Sequence, residues 1–162
     1  MISSLTYCYF TSRKDDIHVA RKKLLPISLL DQYQSAGAGY DVLRYIGIAD
    51  LLGPEKDTIL YFMGKRLARM FDIRSVDDIA VFFEKMGWGK IELIKEKRRS
   101  LVFYLLSDAV AQRLHGPLEG DFKLEAGFLA ESIQFVNQME CECTVAIHRK
   151  IHQVEFNVLY IN

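Results

Sequence analysis

The sequence predicts an α+β domain, a helical layer packed on a four-stranded antiparallel sheet. Period-two alternation marks four segments near residues 90–96, 100–106, 141–148 and 153–160. Apolar residues at helical spacing mark the segments before and between them. The order runs helices, hairpin, helix, hairpin, and such segregated runs fit helices on one face of an antiparallel sheet.

Each element has a local reason. Residues 41–52 place Val42, Tyr45, Ile46, Ala49 and Leu52 at helical spacing, and Gly53-Pro54 stops the run. Asp57 is placed to cap the next helix, 57–71, with Leu60, Met63, Leu67 and Phe71 on one face. Ser75 with Asp78 resembles a capping box, Asp replacing the usual Glu, and Val76, Ile79, Phe83 and Met86 form the stripe that follows. At Lys90 the period changes to two. Ile91 and Leu93 alternate with Glu92 and Ile94, a charged turn at 96–99 follows, and 101–105 completes a hairpin. Residues 108–114 read as a short helix closed by Gly116-Pro117, and 124–137 as the last long helix. The final hairpin turns around Arg149-Lys150.

The chain has 162 residues, enough for one domain. Such a domain buries roughly 70% of its unfolded surface, so neither disulfides nor metal is required for a core. Basic and acidic residues balance at 21 each, which argues against a general nucleic-acid binder. No apolar run approaches the roughly 20 residues that span a bilayer. The first ten residues are too polar for a signal-peptide core and no Lys or Arg precedes them, so a cytoplasmic protein is expected. Three cysteines, an odd number, are expected as free thiols. Residues 1–23 lack a sustained period and read as a poorly ordered N-terminal extension, with a single domain over 24–162.

Few residues suggest chemistry. Cys141 and Cys143, two apart on a strand, share a face with Val145 and Ile147, while His148 faces the other way. Buried thiols packing as small hydrophobes fit this better than a zinc site, which needs four ligands at defined spacing, and no metal is expected. The four histidines are scattered, and no triad is visible in the chain. Gly37-Ala38-Gly39 lacks the Gly-Lys-Ser/Thr of a phosphate loop, and Gly64-Lys65 lies mid-helix. The basic clusters Lys65, Arg66, Arg69 and Lys95, Lys97, Arg98, Arg99 read as solvated faces or as anion contacts. Glu84, Glu125 and Glu131 are acids without an assigned base.

Two glycine features stand out. Gly127 within a helix costs about 1 kcal/mol against alanine, so close backbone approach or ligand space must compensate. Trp88, the only tryptophan, lies between Gly87 and Gly89 where a helix gives way to a strand. It fits a core anchor or the wall of a pocket.

From about residue 28 to 160 the chain resembles the YslB family. The likeness rests on Gly39-Tyr40-Asp41-Val42-Leu43-Arg44, on Ile59-Leu60-Tyr61 with Gly64-Lys65 and Leu67-Ala68-Arg69, on Phe82 through Lys90, on Lys95-Glu96-Lys97, and on Phe122 through Glu131. Residues 1–23 lie outside it. This resemblance implies kinship with 4-vinyl-reductase-type small-molecule-binding domains and with TRAPP vesicle-tethering subunits. It implies helices over a twisted four-stranded sheet, often dimeric, with an apolar pocket in some members.

The expected function is a non-catalytic ligand-binding or adaptor domain without cofactor. Its candidate pocket comprises Met63, Phe83, Trp88, Glu125, Phe128 and Leu129, and its candidate ligand is an apolar small molecule. The alternatives are a small-molecule enzyme of reductase or lyase type using Glu125, Cys141 and Cys143, or a purely dimeric scaffold. Residues 59–63 are consecutively apolar, which no single covered face explains. A homodimer with Tyr61 or Phe62 in the contact is therefore expected.

Overall fold

The four alternating segments are strands of one antiparallel sheet: β1 Lys90–Lys97, β2 Ser100–Leu106, β3 Cys141–His148 and β4 Gln153–Tyr160. The computed structural model describes residues 26–28, 37–115 and 120–161. The extension expected over 1–23 and the Gly116-Pro117 stop lie outside them. Spatial order is β1-β2-β4-β3, so the second strand of each hairpin is interior. Phe103 pairs with Phe156 and Leu105 with Val154 across that central seam. Alternate residues of β2 and β4, with Ile91, Cys141 and Cys143, face the core. Leu93 shares the face of Ile91, opposite Phe103, yet stays 38% exposed on the edge strand, and the register of β1 shifts only after it, between Leu93 and Lys95. The first hairpin also turns later than expected, because β1 continues to Lys97.

The expected helix over 41–52 forms in three pieces: α1 Gly37–Val42, a π-helical turn Leu43–Gly47, and α2 Ile48–Leu52. The wider turn changes the stripe. Arg44 and Tyr45 face inward, while Val42 and Ile46 are exposed. Helix α3, Lys56–Ala68, begins one residue earlier than expected and without an Asp57 cap. A 3₁₀ turn over Gly53–Glu55, with Pro54 at its start, runs directly into it, and Lys56 is already helical. Helix α4, Val76–Lys85, has the expected cap: the Asp78 amide donates to Ser75 Oγ at 3.1 Å. The Asp78 carboxylate accepts from the Arg74 amide at 3.0 Å, one residue short of a full capping box. Helix α5 is Asp108–His115, and Ser107 Oγ accepts from the Val110 amide near its start. Helix α6 is Lys123–Asn137. Among the described residues no helix is long and apolar enough to cross a membrane.

Helix α6 is the centre of the fold. Every residue from Leu124 to Ile133 is buried, between the sheet and α3. The inward face of α3 is Leu60, Gly64 and Ala68, not the Leu60-Met63-Leu67-Phe71 stripe the periodicity suggests. Two glycines explain the rotation. A Cβ on Gly127 would press into the Tyr61 carbonyl, with its carbon 2.8 Å away. One on Gly64 would press into the Leu124 carbonyl and lie 2.7 Å from the Phe128 nitrogen. Each helix thus uses a glycine to admit the other's backbone. Close approach, rather than ligand space, compensates for Gly127.

Trp88 is 0% exposed. Gly87 at φ 65° and Gly89 at φ 138° take backbone conformations that favour glycine, and they aim the indole between α4 and α6. There it meets Phe82, Phe83 and Phe128 edge-on, with ring centroids 5.6, 5.0 and 5.5 Å away. Phe82 and Phe128 stack at 4.1 Å. The indole N–H donates to the Tyr40 hydroxyl at 3.0 Å, so the ring's one polar atom is satisfied. Arg113 of α5 finishes the corner by donating to the Trp88 and Gly87 carbonyls at 3.1 and 3.0 Å.

Candidate functional site

Two regions carry features that packing alone does not explain. The first is the outer face of α3. Ile59, Phe62 and Met63 are exposed, and Phe62 reaches 58%. With Thr58, Arg66, Leu67 and Met70 they line a groove of about 520 Å³. Tyr61, next to Phe62, is engaged within its own chain. Its hydroxyl donates to Glu142 on the outer side of β3 and accepts from the Cys143 amide at 3.0 Å. Lys65 donates to the same carboxylate at 2.8 Å. Burial works against ionising Glu142, but the hydrogen bonds from Lys65 and Tyr61 outweigh it and hold the carboxyl below its ordinary range. Together these contacts fasten α3 to the edge strand and occupy one of its backbone donors.

The second region lies at the start of α6. Glu125 is 0% exposed, and neither of its oxygens has a hydrogen-bond partner among the described residues. The same holds for Arg44 Nε and the Tyr45 hydroxyl. Arg44, 2% exposed, donates to both oxygens of Asp121 at 2.6 and 3.3 Å and stands 3.8 Å from Glu125. Its guanidinium also lies over the Tyr45 ring, 5.0 Å from the centroid. Arg113 donates to Asp41 at 2.9 Å. Burial pushes the Glu125 carboxyl above its ordinary range, with Arg44 opposing. Burial, then the charge of Glu125, raises the Tyr40 and Tyr45 hydroxyls. A π turn, which often marks functional sites in helices, supplies two of these side chains. Phe122, just before α6, holds a left-handed φ of 53°, uncommon for a bulky residue.

Of the residues expected in a pocket, Phe83, Trp88 and Phe128 lie together in the aromatic core, with Leu129 buried in the same core cluster. Glu125 lies in the polar cluster, and Met63 lies outside in the α3 groove. Glu125 is also apart from the cysteines. Cys141 donates its thiol to the Ala130 carbonyl at 3.1 Å, more than a helical turn along α6. Cys141 and Cys143 are buried on the core face of β3, and burial raises both thiols above their ordinary range. His148 is on the opposite face, 3.5 Å from Glu155. Sequence reasoning missed Arg44, Tyr45, Arg113 and Asp121. The ion pairs Arg44–Asp121 and Arg113–Asp41 join residues more than seventy apart, beyond the reach of any periodic pattern.

The chain is 33% identical over 132 residues to the uncharacterized protein YslB of Bacillus subtilis, covering 82% of this chain and 89% of YslB. Its fold matches the crystal structure of a vinyl-4-reductase family protein from Methanocaldococcus jannaschii with a TM-score of 0.61 at 17% identity, over 84% of this chain and 88% of that one. A trafficking protein particle complex subunit 3 from Naegleria fowleri, covalently bound to palmitic acid, gives a TM-score of 0.40 at 14% identity, over 83% of this chain and 87% of that one. A family model described as a protein of unknown function, DUF2507, matches residues 37–159. The chain belongs to this DUF2507 family and is a homologue of YslB, as its motifs predicted.

Proposed function

We propose that the domain is a non-catalytic carrier or adaptor that binds an apolar small molecule along the outer face of α3. The observation that carries this reading is the groove of about 520 Å³ lined by Ile59, Phe62, Met63, Leu67 and Met70. Small-molecule sites commonly enclose roughly 300–1,000 Å³ and are lined mainly by apolar side chains. Covering an exposed phenylalanine is favourable by about 25 cal/mol per Å² of apolar surface removed from water. The aromatic set around Trp88 packs against itself and supports a structural role for those rings. A cytoplasmic setting belongs to the same reading, supported by two unpaired thiols.

The test is titration with the apolar fluorophore N-phenyl-1-naphthylamine. Met63→Glu places a charge in the groove and is expected to weaken binding by about tenfold or more, since a carboxylate resists desolvation. Its denaturation midpoint should stay near wild type, because Met63 is already exposed. Equal affinity in both proteins would refute the groove.

A second reading, a homodimer through the same face, is favoured by the exposure of Ile59, Phe62 and Met63 side by side. Phe62 would make the contact, since the Tyr61 hydroxyl is already bonded to β3. Sedimentation equilibrium at micromolar concentration is the check. A dimer that Phe62→Asp dissociates supports it, and a monomeric wild type rejects it.

A further inference from the structure

Among the described residues, the cluster at the start of α6 sets two buried arginines, Arg44 and Arg113, against three acids, Asp41, Asp121 and Glu125, with the partly exposed Lys56 at its edge. Arg44 bonds Asp121 and Arg113 bonds Asp41, while Glu125 has only the longer 3.8 Å contact with Arg44. Among the described residues, the charged and titratable groups around Glu125 are Tyr40, Asp41, Arg44 and Tyr45 from the 37–52 segment, Arg113 from α5, and Asp121 ahead of α6. The next cation out is Lys56, 3.8 Å from Asp121. An ionised carboxylate fully buried without enough compensating partners is strongly disfavoured, so either a proton or a cation must come to Glu125.

One cation is already poised to move. The same Arg44 nitrogen stands 2.6 Å from Asp121 and 3.8 Å from Glu125. Asp121 retains Lys56 as a substitute partner. Arg44 is carried by a π turn, and among the described residues its Nε has no hydrogen-bond partner. We propose that Glu125 and Asp121 compete for Arg44 and that a proton on Glu125 decides the competition, making the 37–52 segment a pH-sensitive cover over the start of α6. With Glu125 protonated, Arg44 stays on Asp121 and the segment is closed. When Glu125 loses its proton to solvent, Arg44 turns to it and Asp121 falls to Lys56 and water. The π turn then loosens, because among the described residues the Tyr45 hydroxyl makes no hydrogen bond to hold it.

The raised Glu125 pKa sets the sign. A carboxyl whose folded pKa exceeds its unfolded value contributes stability that is complete below the unfolded carboxylate range. That contribution is lost as pH rises through the folded value. The cover should therefore open on the alkaline side. This switch is independent of the α3 groove, which lies elsewhere on the surface.

Hydrogen exchange of the full chain, corrected for intrinsic rates, tests the switch between about pH 5 and about pH 9. In wild type, protection of amides 43–49 should fall by about tenfold or more as pH rises, while amides 128–133 of α6 keep theirs. Glu125→Gln cannot ionise and should stay protected at 43–49 throughout. A flat wild-type profile, or the same fall in Glu125→Gln, would overturn the proposal. A variant-free measurement guards against misfolding of that protein. Carboxyl ¹³C NMR of the wild type should show one glutamate titrating well above the others, and carboxyls that all titrate in the ordinary range would equally overturn it.

Discussion

Alanine at Gly127 is expected to destabilise the domain by about 4 kcal/mol or more, the range reached only by severe core faults. The added methyl would enter the Tyr61 carbonyl on α3, which is backbone and cannot rotate aside. Helix propensity works in the opposite direction and favours alanine by only about 1 kcal/mol. The steric term wins, because α3 and α6 must separate to admit the methyl and doing so opens the core on both sides of the crossing. Gly64→Ala should behave similarly against the Leu124 carbonyl. Gly47→Ala is the control. Gly47 is helical and exposed, with only a Leu43 side-chain atom 3.7 Å from the added carbon. There alanine is expected to be neutral or to stabilise by up to about 1 kcal/mol. Chemical-denaturation midpoints separate the three variants. A Gly127→Ala midpoint equal to wild type would mean that the helices do not cross this closely.

Trp88→Ala is expected to cost about 3–5 kcal/mol, the range for deleting a large buried aromatic. The indole is completely buried and touches three phenylalanine rings. Its removal leaves a cavity bounded by α4 and α6, which the stacked Phe82–Phe128 pair is poorly placed to fill. The Tyr40 hydroxyl also loses its donor. Trp88→Phe should recover part of the loss by restoring ring contacts without the hydrogen bond. Urea midpoints and slopes for the two variants check this, and an unchanged midpoint in Trp88→Ala would remove Trp88 from the core.

The sheet was legible because a solvated antiparallel sheet imposes period two on its sequence, and all four segments obey it. The edge strand β1 follows it least well: Leu93 keeps the core-side register but is partly exposed, and the register shifts before Lys95. Helix α4 was legible through Ser75 and its apolar stripe. Helix α3 was less so. Its inward face is built from Gly64 and Ala68, and small residues leave no hydrophobic signal even where backbones touch. Gly127 stands out from its cost alone, whereas its counterpart Gly64 enters the sequence reading only through a failed phosphate-loop match and the family motif. The polar cluster was invisible beyond Glu125. An arginine such as Arg44 in an amphipathic run is ordinarily placed at the surface. Only the long-range fold shows that the π turn points it at Asp121 and Glu125.

Native mass spectrometry of the protein purified from its own host tests the α3 groove most directly. The expected spectrum shows the chain carrying a non-covalent apolar molecule, absent from Met63→Glu prepared in the same way. A doubled mass that Phe62→Asp abolishes would instead assign the face to a second copy of the chain. A bare monomeric chain in the wild type, indistinguishable from both variants, would contradict a binding role for the outer face of α3.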